Sequence, residues 1–134
     1  MPPVTIRSEQ EAQLLSAARQ AAEHAYAPYS GFRVGAALLL ETGEIVTAAN
    51  VENTSYGLSI CAERSAVVRA VAQCGPQIRI LAVAVTSSPC GACRQVLAEF
   101  MSPDGLILFL FDSTPQSQTL AQLLPFGFYL NHAE

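Results

Sequence analysis

From Ser8 to Ala25 the apolar residues Leu14, Leu15, Ala18, Ala21, Ala22 and Ala25 recur at helical spacing, which predicts an amphipathic packing helix. Ser8, with Glu11 three residues on, reads as its capping box. His24 falls near the end of this helix, where a cation suits the dipole. The period changes after the turn-forming stretch Tyr26-Ala27-Pro28-Tyr29-Ser30-Gly31. Val34–Leu40 and Ile45–Ala49 are short apolar runs around Glu41-Thr42-Gly43-Glu44, the pattern of a hairpin. The first run is apolar on both faces of a strand, so helices are expected on both sides of the sheet.

Further along, Cys61 to about Gln73 carries Ala66, Val67, Ala70 and Val71 as a helical stripe that Gly75-Pro76 stops. Ile78–Thr86 reads as a central strand, broken by Ser87-Ser88-Pro89. Cys90–Phe100 is the next helix and Leu106–Phe111 the next strand. Pro115–Gln118 reads as loop, Thr119 as the cap of a short helix ending at Leu124-Pro125, and Phe126–Leu130 as a last strand. The predicted order, α-β-β-α-β-α-β-α, makes an α/β layered sheet, its hairpin antiparallel and its later strands parallel through helical crossovers. No repeat or linker divides the 134 residues, so one domain over 1–134 is expected.

Composition narrows the partners. The chain is 51% hydrophobic and 13% charged, which points to a partly covered surface and hence an oligomer. The net charge is −4, and all seven basic residues are scattered Arg (Arg7, Arg19, Arg33, Arg64, Arg69, Arg79, Arg94). Nucleic-acid binding rests on clustered cations that neutralise phosphates, so no nucleic-acid partner is expected. No apolar run reaches the roughly 18 residues of a membrane span, and Met1-Pro2-Pro3 does not open a signal peptide. A cytoplasmic protein with no membrane partner is the expectation.

The chemistry concentrates in Cys61-Ala62-Glu63 and Pro89-Cys90-Gly91-Ala92-Cys93. All three cysteines fall at predicted helix N-termini, where free N–H groups favour thiolates. Three thiolates with one position left open is the donor set of a catalytic zinc site, and Glu63 is placed to move protons. A Cys-x-x-Cys pair also suits a disulfide or redox site. That leaves Cys61-Ala62-Glu63 unexplained, and cytosolic thiols stay reduced. Cys74 lies 13 residues beyond Cys61 on one helix, about 20 Å away along its axis, so it reads as a packing residue rather than a fourth ligand. No local spacing supports His24 or His132 in that role.

One zinc with three thiolates sums to a formal −1, so Arg64 and Arg94, each next to a motif residue, are expected to donate to the sulfurs. Asn50 and Glu52, two apart at a strand end, project to one side. Such residues in loops usually satisfy backbone groups, and an amide–carboxylate pair also suits a ribose hydroxyl. On the residues alone both readings stand.

Cys61-Ala62-Glu63-Arg64 with Pro89-Cys90-Gly91-Ala92-Cys93-Arg94-Gln95-Val96 resembles the small tetrameric cytidine deaminases, as do Tyr26–Leu38, Asn50–Asn53 and Leu123–Phe128. The resemblance runs from about Glu9 to Phe128. It implies a three-layer α/β fold of that type, with a mixed sheet of about five strands and helices on both faces. It also implies a homotetramer with one Zn2+ per subunit held by Cys61, Cys90 and Cys93. The implied reaction is hydrolytic deamination of cytidine and deoxycytidine in pyrimidine salvage, with Glu63 as the proton carrier. The implied substrate residues are Phe32 against the base, Ala62 at the pyrimidine edge, and Asn50 and Glu52 on the ribose 3′-hydroxyl. Tyr56 and Phe128 would reach a neighbouring subunit's pocket. The segment between Val85 and Pro89 is shorter than in that family, which bears on contacts at the rim. An aminonucleoside-antibiotic deaminase and a non-catalytic zinc-containing nucleoside-binding protein are the alternative readings.

Overall fold

The structure, a computed structural model, describes residues 6–130. Met1-Pro2-Pro3 and His132 lie outside them. Helix α1 spans Ser8–Ala22, strand β1 Gly35–Leu40, β2 Ile45–Ala49, α2 Ala62–Cys74 and β3 Ile80–Val85. Helix α3 spans Gly91–Ala98, β4 Met101–Phe111, β5 Thr114–Thr119 and α4 Leu120–Leu123. The strands form one sheet in the order β2-β1-β3-β4-β5. Strands β3 and β4 are parallel, joined through α3, and the other neighbours are antiparallel.

Strand β1 is buried along its whole length, and its alternate residues feed two cores. Ala37 and Leu39 pack with Leu14 and Ala18 of α1 on one face. Ala36, Leu38 and Leu40 meet Ala66, Val67 and Ala70 of α2 and Leu97 of α3 on the other. Removing Leu14, Leu38 and Leu97 from water contributes about 2 kcal/mol each, before entropy is counted. Helix α1 lies directly on the start of β1: a Cβ at Gly35 would come 1.9 Å from the Ala18 carbonyl oxygen. Only glycine fits there.

Several expectations are corrected. Ser8 is the first residue of α1 rather than its cap; the Arg7 N–H donates to Gln10 Oε1 at 2.9 Å instead of the Ser8–Glu11 pairing. The helix ends at Ala22, and His24 is exposed in the turn beyond it. Strand β4 starts at Met101, five residues earlier than the apolar run, with its register against β3 broken across the Ser102-Pro103-Asp104-Gly105 segment. The fifth strand is Thr114–Thr119, a stretch whose composition suggested loop; Phe126–Leu130 forms no strand. Asp112 and Ser113 both take positive φ, the geometry of a two-residue hairpin turn, and it folds the polar β5 back on β4. An edge strand buries little, so β5 carries no apolar alternation, and Pro115 is tolerated there. The Thr119 cap is as expected: its hydroxyl accepts the Gln122 N–H at 3.2 Å. Among the described residues no helix is long and apolar enough to cross a membrane.

Candidate active site

Cys61 and Cys90 are the N-cap residues of α2 and α3, and Cys93 is in the first turn of α3. Both helices pack on the same face of the sheet, so chain segments 29 residues apart meet at one point. The three sulfurs lie within 4.8 Å of one another. Cys61 Sγ is 4.0 Å from Cys90 Sγ, which is 3.4 Å from Cys93 Sγ. Tetrahedral ligands at a zinc–sulfur distance of about 2.3 Å sit roughly 3.8 Å apart, so the observed spacings fit zinc. The Cys93 N–H donates to Cys90 Sγ at 3.4 Å, as a helix N-terminus should.

Charge makes the same demand. Burial pushes the Cys93 thiol far above its ordinary range, and the negative neighbours Glu63 and Cys61 add to the shift. Burial also opposes ionisation of Cys90, yet hydrogen bonds from Cys93, Cys61 and the Ala92 N–H bring its thiol below the ordinary value. Three sulfurs and a carboxylate this close ionise together only around a cation. Arg64 supplies part of that charge, its Nη2 donating to Cys61 Sγ at 3.8 Å. That bond, more than burial opposes it, raises the guanidinium's hold on its proton.

Glu63, one residue into α2, is 3% exposed. Burial raises its carboxyl above the usual carboxylate range; its own N–H, the Cys93 thiol and Arg64 offset part of the rise. A carboxyl so placed takes up and returns protons nearer neutrality than an exposed one. It lines an inner cavity of about 190 Å3 with Phe32, Val34, Asn50, Cys61, Ala62, Ser87, Ser88 and Cys90. An outer cavity of about 450 Å3 shares Asn50 and Cys61 with it and adds Tyr29, Ser30, Glu52, Tyr56, Ser59 and Ile60.

Asn50 and Glu52 do lie together in extended backbone, where the Tyr26 N–H meets the Asn50 carbonyl and the Glu52 N–H the Tyr26 carbonyl. Both side chains hold the Tyr29–Val34 loop. Asn50 Oδ1 accepts the Val34 N–H at 2.9 Å, and its Nδ2 donates to the Phe32 carbonyl at 3.0 Å. Glu52 Oε1 accepts the N–H groups of Tyr29 and Ser30 at 2.9 and 3.2 Å, and Oε2 the Ser30 hydroxyl. The Ser30 bond is the chief reason the Glu52 carboxyl lies below its usual range.

Three expectations about placement turn out differently or incompletely in space. Arg94 donates to the carbonyls of Pro89 and Leu123, each at 2.9 Å, and so ties the loop before Cys90 to α4; the sulfur contact belongs to Arg64. Tyr56 is 76% exposed, its ring edge-on to Tyr29 with centroids 6.1 Å apart. Phe128 is 71% exposed and lines neither cavity of its own chain. Its backbone is held by the Gln95 side chain, which donates to the Phe128 carbonyl at 2.6 Å and accepts its N–H at 3.2 Å. Cys74 lies at the far end of α2 with its thiol 3.7 Å from Glu44, away from the sulfur cluster. Reading the residues placed the segment of Ser87 and Ser88 only at the rim, where the structure puts both in the inner wall, and it missed Ser59 and Ile60 in the outer. The break after β3 was a signal for the serines, since ligands gather beyond the carboxyl ends of parallel strands.

Comparison with known proteins agrees with this geometry. The family described as the cytidine and deoxycytidylate deaminase zinc-binding region matches residues 8–108. The chain is 43% identical over 120 residues to a cytidine deaminase of Halalkalibacterium halodurans, covering 86% of this chain and 91% of that one. It is 47% identical over 120 residues to a cytidine deaminase of Mycobacterium tuberculosis, covering 85% and 86%. The crystal structure of cytidine deaminase from Mycobacterium tuberculosis superposes with a TM-score of 0.78 at 42% identity, over 90% of this chain and 98% of that one. The structure of cytidine deaminase from Burkholderia pseudomallei gives 0.79 at 38% identity, over 92% and 100%.

Proposed function

The chain belongs to the cytidine and deoxycytidylate deaminase family, and on that premise we propose that it deaminates the free nucleosides cytidine and deoxycytidine to uridine and deoxyuridine. The observation that carries this reading is the buried Glu63 carboxyl, facing the inner cavity beside three mutually close thiols. Cys61, Cys90 and Cys93 would hold a zinc ion, which when bound would supply Lewis acidity that makes water nucleophilic near neutral pH. Glu63 takes a proton from the attacking water and gives it to N3 as the oxygen bonds to C4, then takes the second proton from that oxygen and delivers it to the amine as the C4–N4 bond breaks. Water and cytidine are consumed; uridine and ammonia leave. Phe32 packs on the ring, and the Ala62 N–H, in a first helical turn without an intrahelical partner, meets its edge. Asn50 and Glu52 hold a sugar hydroxyl with the bonding capacity their loop contacts leave over.

The free nucleoside is favoured because, among the described residues, no basic side chain lines either cavity, so a phosphate has no counter-charge, and Glu52 repels one. We read residues 1–134 as one catalytic domain acting in pyrimidine salvage in the cytoplasm, where its thiols stay reduced. The exposed Tyr56, Phe126, Phe128, Tyr129 and Leu130 support a homotetramer in which Tyr56 and Phe128 complete a neighbour's site. Incubating the purified protein with cytidine and with cytidine 5′-monophosphate tests the reading. The ultraviolet spectrum of the nucleoside should convert to that of uridine while the nucleotide persists. Zinc in the protein with neither converted would favour a binding protein instead.

A further inference from the structure

We propose that Ser30 is a positioning residue for substrate recognition, its hydroxyl coupling the backbone that carries Phe32 to the carboxylate of Glu52. The proposal rests on the reading that Glu52 holds a sugar hydroxyl. Ser30 is a small residue in an exposed turn, and nothing in a core requires it. Its hydroxyl nevertheless has two partners. The Phe32 N–H donates to Ser30 Oγ at 2.9 Å, and Ser30 Oγ donates to Glu52 Oε2.

The direction of both bonds follows from the groups involved. A peptide N–H only donates and an ionised carboxylate only accepts, while a hydroxyl has one proton and spare lone pairs. The chain therefore runs from the Phe32 amide through Ser30 to Glu52, each bond polarising the next. Phe32 lines the inner cavity, and Ser30 and Glu52 line the outer one, so one hydroxyl joins the two halves of the site. A half-buried Glu side chain still loses rotamer freedom when it is ordered, and the Tyr29 and Ser30 N–H groups both fall on Oε1. Among the described residues, the Ser30 hydroxyl alone holds Oε2. Without it the carboxylate turns about its anchored oxygen, and its second oxygen loses its aim.

The test compares wild type, Ser30→Ala and Ser30→Thr on cytidine and on the cytosine nucleoside lacking the 2′- and 3′-hydroxyls. Wild type should prefer cytidine. Ser30→Ala should raise KM for cytidine about tenfold with little change in kcat, because a contact made equally in ground and transition states is weakened. Its KM for the dideoxynucleoside, which offers Glu52 no partner, should stay close to wild type. Ser30→Thr, which keeps the hydroxyl, should restore the preference. Equal losses on both substrates in Ser30→Ala would reduce Ser30 to loop structure and overturn the proposal, as would an unchanged preference. A wild type that accepts both nucleosides equally would remove the role of Glu52 and this inference with it.

Discussion

At the metal end of the site, Cys61, Glu63, Cys90 and Cys93 stand on the first turns of two helices packed over one sheet face. At the outer end, Tyr29, Ser30, Asn50 and Glu52 stand on loops and Tyr56 on a single 3-10 turn, and most of their polar bonds go to neighbouring backbone. Glu63 is 3% exposed and Tyr56 76%. Proton transfer and metal binding tolerate little misplacement, so their groups sit on rigid elements with first-turn N–H groups aimed inward. Recognition of a sugar needs groups that open to admit it, and loops provide that movement. The first region is built from groups of one chain; in the proposed homotetramer the exposed aromatics of the second would complete a neighbouring copy's site.

The contrast predicts different kinetic signatures. The larger effect belongs to the metal end. Glu63→Gln keeps the size and the helix but cannot carry protons, so kcat should fall by about 100- to 10,000-fold with zinc content unchanged. Loss of zinc in that variant would mean the carboxylate is a structural support of the cluster. The smaller effect belongs to the rim. Phe128→Ala should raise KM about fivefold, on the order of 1 kcal/mol of aromatic contact, and leave kcat nearly intact. A collapse of kcat in Phe128→Ala, steady across protein concentrations that hold the assembly together, would break the distinction between the two regions.

Legibility in the sequence follows the same division. The thiol cluster was readable because a chemical requirement, three soft ligands and one carboxyl at helix starts, leaves a local signature at Cys61–Glu63 and Cys90–Cys93. The hairpin of β1 and β2 was readable because burial of β1 on both faces forces an unbroken apolar run there, and a glycine-containing turn separates it from a second short apolar run. Strand β5 was not, since an edge strand buries almost nothing and its pairing depends on two positive-φ residues, Asp112 and Ser113. The Arg94 assignment failed for a related reason. Adjacency to Cys93 along the chain does not tell which way a helical side chain points, and in α3 the neighbour of a ligand turns away toward the Leu123 carbonyl. The contacts of Ser30 were hidden because Glu52, 22 residues on, reaches its turn only when the Tyr26–Val51 bridge forms.

The central claim is that the three cysteines hold a metal on which turnover depends. Removing metal with a chelator and titrating zinc back while following cytidine conversion tests it directly. Activity should vanish in the metal-free protein and return linearly to a plateau at one zinc per chain, with Cys93→Ala failing to recover. Full turnover by the metal-free protein, or recovery in Cys93→Ala equal to wild type, would contradict it.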